Sequence, residues 1–140
     1  MTLPEDLSRC LVLNTVAAAR NLLRHYDAAL KPFGVTVQQF ALLAALRYNP
    51  NVPVAALAER VRIDRTSLTR NLDLLERKGL VRRTASGNAK TRTCEPTAPG
   101  DALLDRLLIE WKAAQTGLLA GVAPADADAY LGLVDRFSKI

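Results

Sequence analysis

The chain has 140 residues, enough for one domain with a sizeable core, and its 49% hydrophobic and 24% charged residues are an ordinary globular composition. No apolar run approaches the roughly 20 residues of a membrane span. Residues 1–6 are acidic, unlike the basic start of a signal peptide, so we expect a cytoplasmic protein with no membrane partner. One histidine, His25, and two distant cysteines, Cys10 and Cys94, fit neither a zinc site nor a disulfide framework. We therefore expect no metal and no cofactor.

The net charge of +5 is concentrated in one stretch of the chain. Residues 54–95 contain ten basic and five acidic residues, whereas the remaining residues are balanced. A basic segment inside an otherwise neutral protein favours a binding site for a polyanion. A charged face that is merely solvated is the alternative.

Prolines and glycines separate the periodic segments of the first half of the chain. The first segment predicts one long helix from about Leu7 to Leu30, which ends at residues 31–34 because proline cannot continue the hydrogen-bond ladder. A second helix begins after Thr36, a good N-cap, and runs to about residue 47. A short third helix is predicted over Val54–Val61.

The middle of the chain predicts a helix followed by a hairpin. Asp64 is expected to cap a fourth helix, about residues 65–78, with Gly79 in the left-handed conformation at its end. Strands are predicted at residues 80–83 and 91–94, joined by a turn. Pro96 suggests that the returning strand ends early.

Two further helices complete the chain, one capped by Thr97 and covering about residues 99–119, and one opened by Pro124. The terminal helices are long, leucine-rich and distant from any sheet that could cover them. We expect them to pack against each other and against the same helices of a second copy, which predicts a two-fold homodimer.

Three short helices followed by a two-stranded hairpin predict a winged helix-turn-helix. The fold class is therefore mainly α (α+β), in a single domain over residues 1–140. Residues 36–96 form the predicted DNA-binding lobe, and residues 1–33 and 97–140 form the N- and C-terminal dimerisation helices.

The fourth helix carries the chemistry that indicates a DNA major groove. Leu68, Leu72 and Leu75 form one narrow apolar stripe, because successive residues of a helix turn by about 100°. Short hydroxyl side chains let a helix approach base edges closely, and arginines contact guanine or phosphate. The predicted contacts from this helix are Arg65, Thr66, Ser67, Thr69 and Arg70.

An exposed helix that merely happens to carry threonine and arginine is the alternative. Two features weigh against it. A tight turn at residues 62–64 links this helix to a short preceding one, as in a helix-turn-helix. A basic hairpin carrying Lys90 and Arg92 follows directly, where a wing would reach the neighbouring DNA backbone or minor groove.

The sequence resembles the MarR-type (multiple antibiotic resistance) regulators over nearly its whole length, and most specifically at residues 64–81. The matching segments are Tyr26–Asp27, Leu30–Gly34, Gln39–Leu43, Leu57–Arg60, Asp64–Leu72, Leu75–Val81 and Thr97–Gly100. The resemblance implies a dimeric winged helix protein that binds double-stranded DNA at a pseudo-palindromic operator. It further implies a transcription repressor that is released by a small, commonly aromatic, ligand.

The wing departs from the family pattern. Relatives carry Asp-x-Arg, whose arginine enters the minor groove, whereas this chain has Asn88-Ala89-Lys90. Lysine keeps the charge but lacks the planar fork of arginine. We therefore expect the wing to bind phosphate, with Asn88, Lys90 and Arg92 as its contacting residues.

The resemblance also suggests how DNA binding is controlled. It places a ligand pocket between the dimerisation helices and the DNA-binding lobe, for which the candidate lining residues are His25, Tyr26, Phe40 and Trp111. Ordinary core or interface packing is the alternative for each of them. Some relatives sense peroxides with a cysteine near the position of Cys10, so a redox-sensing regulator is a second hypothesis, against an inert thiol in a dimer interface.

Other classes of function receive less support from the sequence. An enzyme is not expected, because the chain has no Gly-rich phosphate loop and no nucleophile with a placed base. A winged helix used as a protein-interaction module would need an apolar or acidic outer face on the fourth helix. RNA binding favours exposed aromatic residues, and residues 54–95 contain none.

Overall fold

A computed structural model describes residues 4–84 and 91–140. These residues form helices α1 to α7, a 3-10 turn at Lys31–Phe33 and one antiparallel sheet of two strands. The bounds are α1 Glu5–Ser8, α2 Leu11–Leu30, α3 Val37–Tyr48, α4 Val54–Val61, α5 Arg65–Arg77, β1 Val81–Arg83, β2 Cys94–Pro96, α6 Ala98–Leu118 and α7 Pro124–Ser138. The predicted order of four helices, a hairpin and two further helices is confirmed, except that the first predicted helix is divided into α1 and α2.

The first predicted helix is two helices. The chain leaves helical geometry at Cys10, which has φ −65° and ψ 126° and is the N-cap of α2. Asn14 Nδ2 donates to the carbonyl oxygens of Ser8 and Cys10 at 2.9 and 2.8 Å. These side-chain bonds take up backbone acceptors on both sides of the break and stabilise it.

The helix-turn-helix is α4, the turn at residues 62–64 and α5. Thr36 caps α3 through a capping box with Gln39, in which each side chain accepts a hydrogen bond from the other residue's backbone N–H. Arg62 ends α4 in the left-handed region, with φ 57°, and lets the chain turn sharply toward Asp64. As predicted, Thr36 and Asp64 cap the helices that follow them.

The returning strand of the hairpin lies further along the chain than predicted. Instead of residues 91–94, β2 is Cys94–Pro96, with Pro96 opposite Val81. Residue 92 bonds outside the hairpin, since the N–H of Val54 donates to the carbonyl of Arg92 at 2.8 Å. Thr93 bridges Pro53, and its carbonyl also accepts the N–H of Thr84 at 2.9 Å. Pro96 is accommodated because it is the last residue of a strand at a sheet edge.

The core lies between α3, α4, α5 and α6 and is built from leucines. The predicted stripe of Leu68, Leu72 and Leu75 is confirmed, since each is 3% exposed or less. Full burial of a leucine side chain contributes roughly 1.5–3 kcal/mol of transfer free energy. The largest fully buried side chains are Leu30, Leu42, Leu43, Leu57, Leu72, Leu75, Leu104 and Leu107.

The terminal helices present apolar side chains to solvent. Helix α7 buries none of its residues, and α2 buries only Leu30. Over the described residues, no single helix has both the length and the apolar composition of a membrane span; α2 and α3 reach them only as a pair bent by 74°. The exposed large apolar residues of these termini include Leu7, Leu11, Val12, Leu13, Val16, Tyr130, Leu131, Leu133, Val134 and Phe137.

Candidate nucleic-acid interface

The N-terminus of α5 is held by its capping residue. Asp64 accepts the backbone N–H of Ser67 at 2.8 Å and the Ser67 hydroxyl at 2.9 Å. These hydrogen bonds from Ser67 hold the pKa of Asp64 below its ordinary value. Ser67, which the sequence suggested for DNA contact, therefore donates its hydroxyl hydrogen to the Asp64 carboxylate in this structure.

An open groove of about 450 Å³ runs along the outer face of α5. It brings together four of the predicted contact residues on one surface. Its lining residues are Arg65, Thr66, Thr69, Arg70, Asp73 and Arg77. The two threonines are short, so a partner can come close to the helix backbone between the arginines.

A second cleft of about 260 Å³ lies between α5, the start of α4 and the hairpin. Arg65 and Thr69 line it as well as the outer groove, so the two surfaces are continuous. Arg92, predicted from the wing, lines the same cleft. The remaining lining residues are Val54, Ala55, Leu68, Leu72 and Arg83.

Several basic residues of the segment are already paired within the protein. Arg82 contacts Glu95 at 2.5 Å across the hairpin, and Arg83 contacts Asp73 at 2.7 Å. Lys78 donates to the carbonyl of Gly34 at 2.6 Å. The carboxylates partly neutralise the charges of Arg82 and Arg83 before any ligand arrives, whereas Lys78 keeps its charge and has an internal hydrogen-bond partner.

Four arginines differ from the paired ones. Within residues 4–84 and 91–140 they are exposed and form no ion pair or side-chain hydrogen bond. All four line the outer groove or the cleft; they are Arg65, Arg70, Arg77 and Arg92. Among the described residues of the segment, the arginines without an internal partner therefore line one continuous surface, where their charge is available to a polyanion.

Three residues that shape this surface have no role that a local sequence pattern indicates. Arg83 pairs with Asp73, the acidic residue of the outer groove, and so reduces its repulsion of an anion. Asn71 and Gln39 form a buried hydrogen bond of 3.3 Å between α5 and α3. No local pattern predicts either pairing, since the bonded residues are 10 and 32 positions apart.

Asn88 and Lys90 fall in the segment 85–90, outside the described residues. Their predicted wing contacts therefore stay predictions. Arg92 lies at the edge of that segment and inside the cleft.

Comparison with known proteins identifies the family of this fold. The sequence profile of the MarR family matches residues 33–90. The M. tuberculosis transcriptional regulator MosR superposes with a TM-score of 0.80 and 32% identity, covering 94% of this chain and 96% of that chain. The chain belongs to the MarR family.

Two further relatives extend this comparison. A Thauera aromatica protein, named for transcriptional regulation of the hcr operon, is 30% identical over 107 residues, which are 76% of this chain and 64% of that protein. An M. tuberculosis MarR family protein in complex with p-aminosalicylic acid has a TM-score of 0.70 and 26% identity, covering 92% of this chain and 98% of that chain. This chain spans 62–64% of the length of the curated relatives it matches.

MosR was also solved in complex with DNA, and this MarR chain is 34% identical to it there, with a TM-score of 0.76. The match covers 94% of this chain and 100% of that chain. All of the relatives named above are transcription regulators or MarR family proteins by name.

The four residues of this MarR chain that were predicted to line a ligand pocket lie in different surroundings. Tyr26 donates its hydroxyl to Gln115 Oε1 of α6 at 2.7 Å, and burial raises its pKa. Trp111 is half-buried one turn earlier on α6, whereas Phe40 packs against the leucine core and His25 is exposed. Tyr26 and Trp111 therefore share the α2–α6 boundary, and a common pocket for all four stays a prediction.

The two cysteines of the protein are both free thiols in different surroundings. Cys10 is half-buried at the start of α2, and its role as a redox sensor stays a prediction. Cys94 lies buried on β2, where desolvation raises its pKa to about 11. A buried thiol with a raised pKa reacts slowly, because the thiolate is the nucleophile.

Cys94 is therefore expected to resist alkylation in the folded protein. In a Cys10→Ser variant, which leaves Cys94 as the reporting thiol, we expect iodoacetamide at pH 8 to react about 100-fold more slowly with the native protein than with the urea-unfolded one. Mass spectrometry of the adduct measures both rates. Equal rates would mean that Cys94 is accessible and ionised in the native state.

Proposed function

We propose that this MarR protein is a sequence-specific DNA-binding transcription regulator of the cytoplasm, and that it represses transcription from a pseudo-palindromic operator until a small aromatic ligand releases it. One observation carries the DNA-binding part. Within residues 54–84 and 91–95, the arginines without an internal partner are Arg65, Arg70, Arg77 and Arg92, and all four line the surface formed by α5 and the hairpin. A protein-interaction module does not require this segregation of charge.

The proposed contact places α5 in the major groove. Thr66 and Thr69 allow a close approach, and Arg70 lines the same outer groove. The fork of an arginine matches the O6 and N7 atoms of guanine. Arg92 from the hairpin lines the same cleft as Arg65 and is assigned to the flanking phosphate backbone.

The proposed homodimer follows from the exposed terminal helices. A 15-residue helix without a buried residue, as α7 is, gains little from tertiary packing within its own chain. Its exposed apolar side chains and those of α2 are the ones that a second copy would cover. Symmetric association of these helices would set the two α5 helices about one DNA turn apart.

Sedimentation at micromolar concentration tests the homodimer. We expect twice the chain mass of 15.2 kDa. Replacing Leu131 and Phe137, which are 57% and 45% exposed, by aspartate should produce monomers, because each carboxylate would enter an apolar interface. The exposed Asp128→Ala is the control and should stay dimeric. A wild-type monomer would contradict the proposal.

Ligand release is supported by a groove that joins α2 to α5. This groove of about 280 Å³ is lined by Leu23, Asp27, Thr36, Val37, Gln38, Arg70 and Asn71. An occupant would contact Arg70, a residue that we assign to DNA. The complex of a relative with p-aminosalicylic acid makes aromatic carboxylates the first compounds to test.

Selection from a random pool of DNA duplexes tests the function without knowledge of the operator. We expect the recovered sequences to contain two half-sites related by two-fold symmetry, with centres about 10 bp apart. Binding of the selected duplex should weaken steeply with salt and should exceed binding of a scrambled duplex by at least about 1000-fold. Recovery of unrelated sequences would contradict sequence-specific binding. Repression is then tested in a reporter whose promoter contains the selected site.

A further inference from the structure

Two buried polar side chains interrupt the leucine core beneath α5. Gln39 and Asn71 are 5% and 7% exposed, whereas the other buried side chains of the described residues are hydrophobic. They are bonded to each other, since Gln39 Nε2 donates to Asn71 Oδ1 at 3.3 Å. The hydrogen bond between the two amides depends on their relative orientation, whereas the apolar contacts of leucine do not.

Both the oxygen and the nitrogen of the Asn71 amide form hydrogen bonds. Besides accepting from Gln39, its Nδ2 donates to Gln38 Oε1 at 3.1 Å and to the carbonyl of Ser67 at 2.9 Å. Asn71 is thereby bonded to two neighbouring side chains of α3 and to its own helix one turn earlier.

The α3 side of this network is itself held in place. Gln39 Oε1 accepts the backbone N–H of Thr36 at 3.2 Å, so the side chain that meets Asn71 also closes the capping box of α3. Its amide cannot follow a movement of α5 without giving up the cap. Gln39 therefore links the rotation of α5 about its axis to the N-terminus of α3.

We propose that Asn71 is a positioning residue that sets the rotation of α5 and, through it, the direction in which the neighbouring Arg70 and Thr69 project. This inference rests on the proposed function. The packing of Leu68, Leu72 and Leu75 defines this rotation less strictly than hydrogen bonds do, because apolar contacts have no preferred direction. Base recognition tolerates only about 10–20° of misorientation, so the amide pair should matter for specificity more than for folding.

Removing the amide pair is expected to lower the sequence specificity of DNA binding and to leave the stability of the fold nearly unchanged. The double variant Gln39→Met/Asn71→Leu replaces both buried amides by apolar side chains of similar size, so neither buried amide is left without its partner, and such a change can be nearly neutral for stability. The Thr36 N–H and Gln38 Oε1 each lose a partner, but both belong to exposed residues and can bond water. Selection from random duplexes first gives the sequence preferred by the wild type. We expect the ratio of affinities for that duplex and for a scrambled one to fall at least about tenfold. The affinity for the scrambled duplex should stay within about twofold, because the arginines keep their charge.

Leu75→Val is the matched control. It removes a methylene from the same buried face of α5, where Leu75 is fully buried, and leaves the amide pair intact. Its stability should fall while its affinity ratio stays that of the wild type. A fall in the ratio equal to that of the double variant would mean that any weakening of the core lowers specificity, and would overturn the positioning role.

The outcomes distinguish the two proposals. A wild type that selects no sequence contradicts the proposed function. A selective wild type with an equally selective double variant overturns the role of Asn71.

If circular dichroism shows that the double variant does not fold, Gln38→Leu is the variant to measure instead. Gln38 is exposed, and this change removes one of the three hydrogen bonds of Asn71. An unchanged ratio in Gln38→Leu would then overturn the inference, and a reduced one would support it.

Discussion

Gly100→Ala is expected to destabilise the protein by about 2–3 kcal/mol and to lower its Tm by roughly 6–12 °C. An added Cβ at Gly100 would lie 3.0 Å from the carbonyl carbon of Leu80 and closer still to its oxygen. Both atoms belong to the backbone, so no rotamer change can relieve the contact. The same carbonyl accepts the N–H of Thr97 at 3.0 Å, which ties the start of α6 to the hairpin.

Gly117→Ala is the control for this prediction. It lies in the same helix, and an added Cβ there meets nothing within 4 Å. Because alanine favours a helix over glycine, Gly117→Ala should stabilise the protein by about 0.5–1 kcal/mol. Thermal unfolding of both variants at one protein concentration measures the difference. A Tm for Gly100→Ala at or above that of the wild type would show that the hairpin moves away without cost.

Local chemistry explains which parts of the fold could be predicted from the sequence. The caps at Thr36, Asp64 and Thr97 are short-range features, and the helices that follow them begin at the predicted residues or within one residue of them. The start of the returning strand was misplaced because Arg92 bonds to Val54, the first residue of α4, and Thr93 also bridges Pro53, in both cases about 40 positions earlier. Such long-range pairing leaves no periodic signal in the strand itself.

The candidate site also combines features that the local sequence predicts with features that it does not. The helical period places Thr66, Arg70 and Arg77 on one face, and the structure gathers them in one groove. Which basic residues carry free charge depends on ion pairs across elements, such as that of Arg83 with Asp73, and the sequence alone does not reveal these. The separation of free from neutralised arginines is therefore a result of the tertiary fold, and it identifies the residue for the most informative DNA-binding variant.

Arg70→Ala is expected to weaken binding of the selected duplex by about 1–3 kcal/mol, which is roughly a 5- to 150-fold loss of affinity, and to relax the base preference at one position of each half-site. Arg70 is exposed on the outer groove and has no ion-pair partner among the described residues, so its removal leaves no internal charge unpaired. The loss then reports its contact with DNA. Titration of the selected and scrambled duplexes at two salt concentrations measures it.

Arg70→Lys separates charge from base recognition. Lysine keeps the positive charge but lacks the planar fork that bonds guanine at two atoms. The variant should bind the scrambled duplex as the wild type does and lose most of the preference for the selected one. Arg106→Ala is the charge-matched control for Arg70→Ala: Arg106 lies on α6 with its guanidinium 4.9 Å from the ring centre of Phe33, and its loss should leave the preference unchanged. Equal losses on both duplexes for Arg70→Ala, with full preference in Arg70→Lys, would assign Arg70 to a phosphate and leave base reading to Arg65 and the threonines.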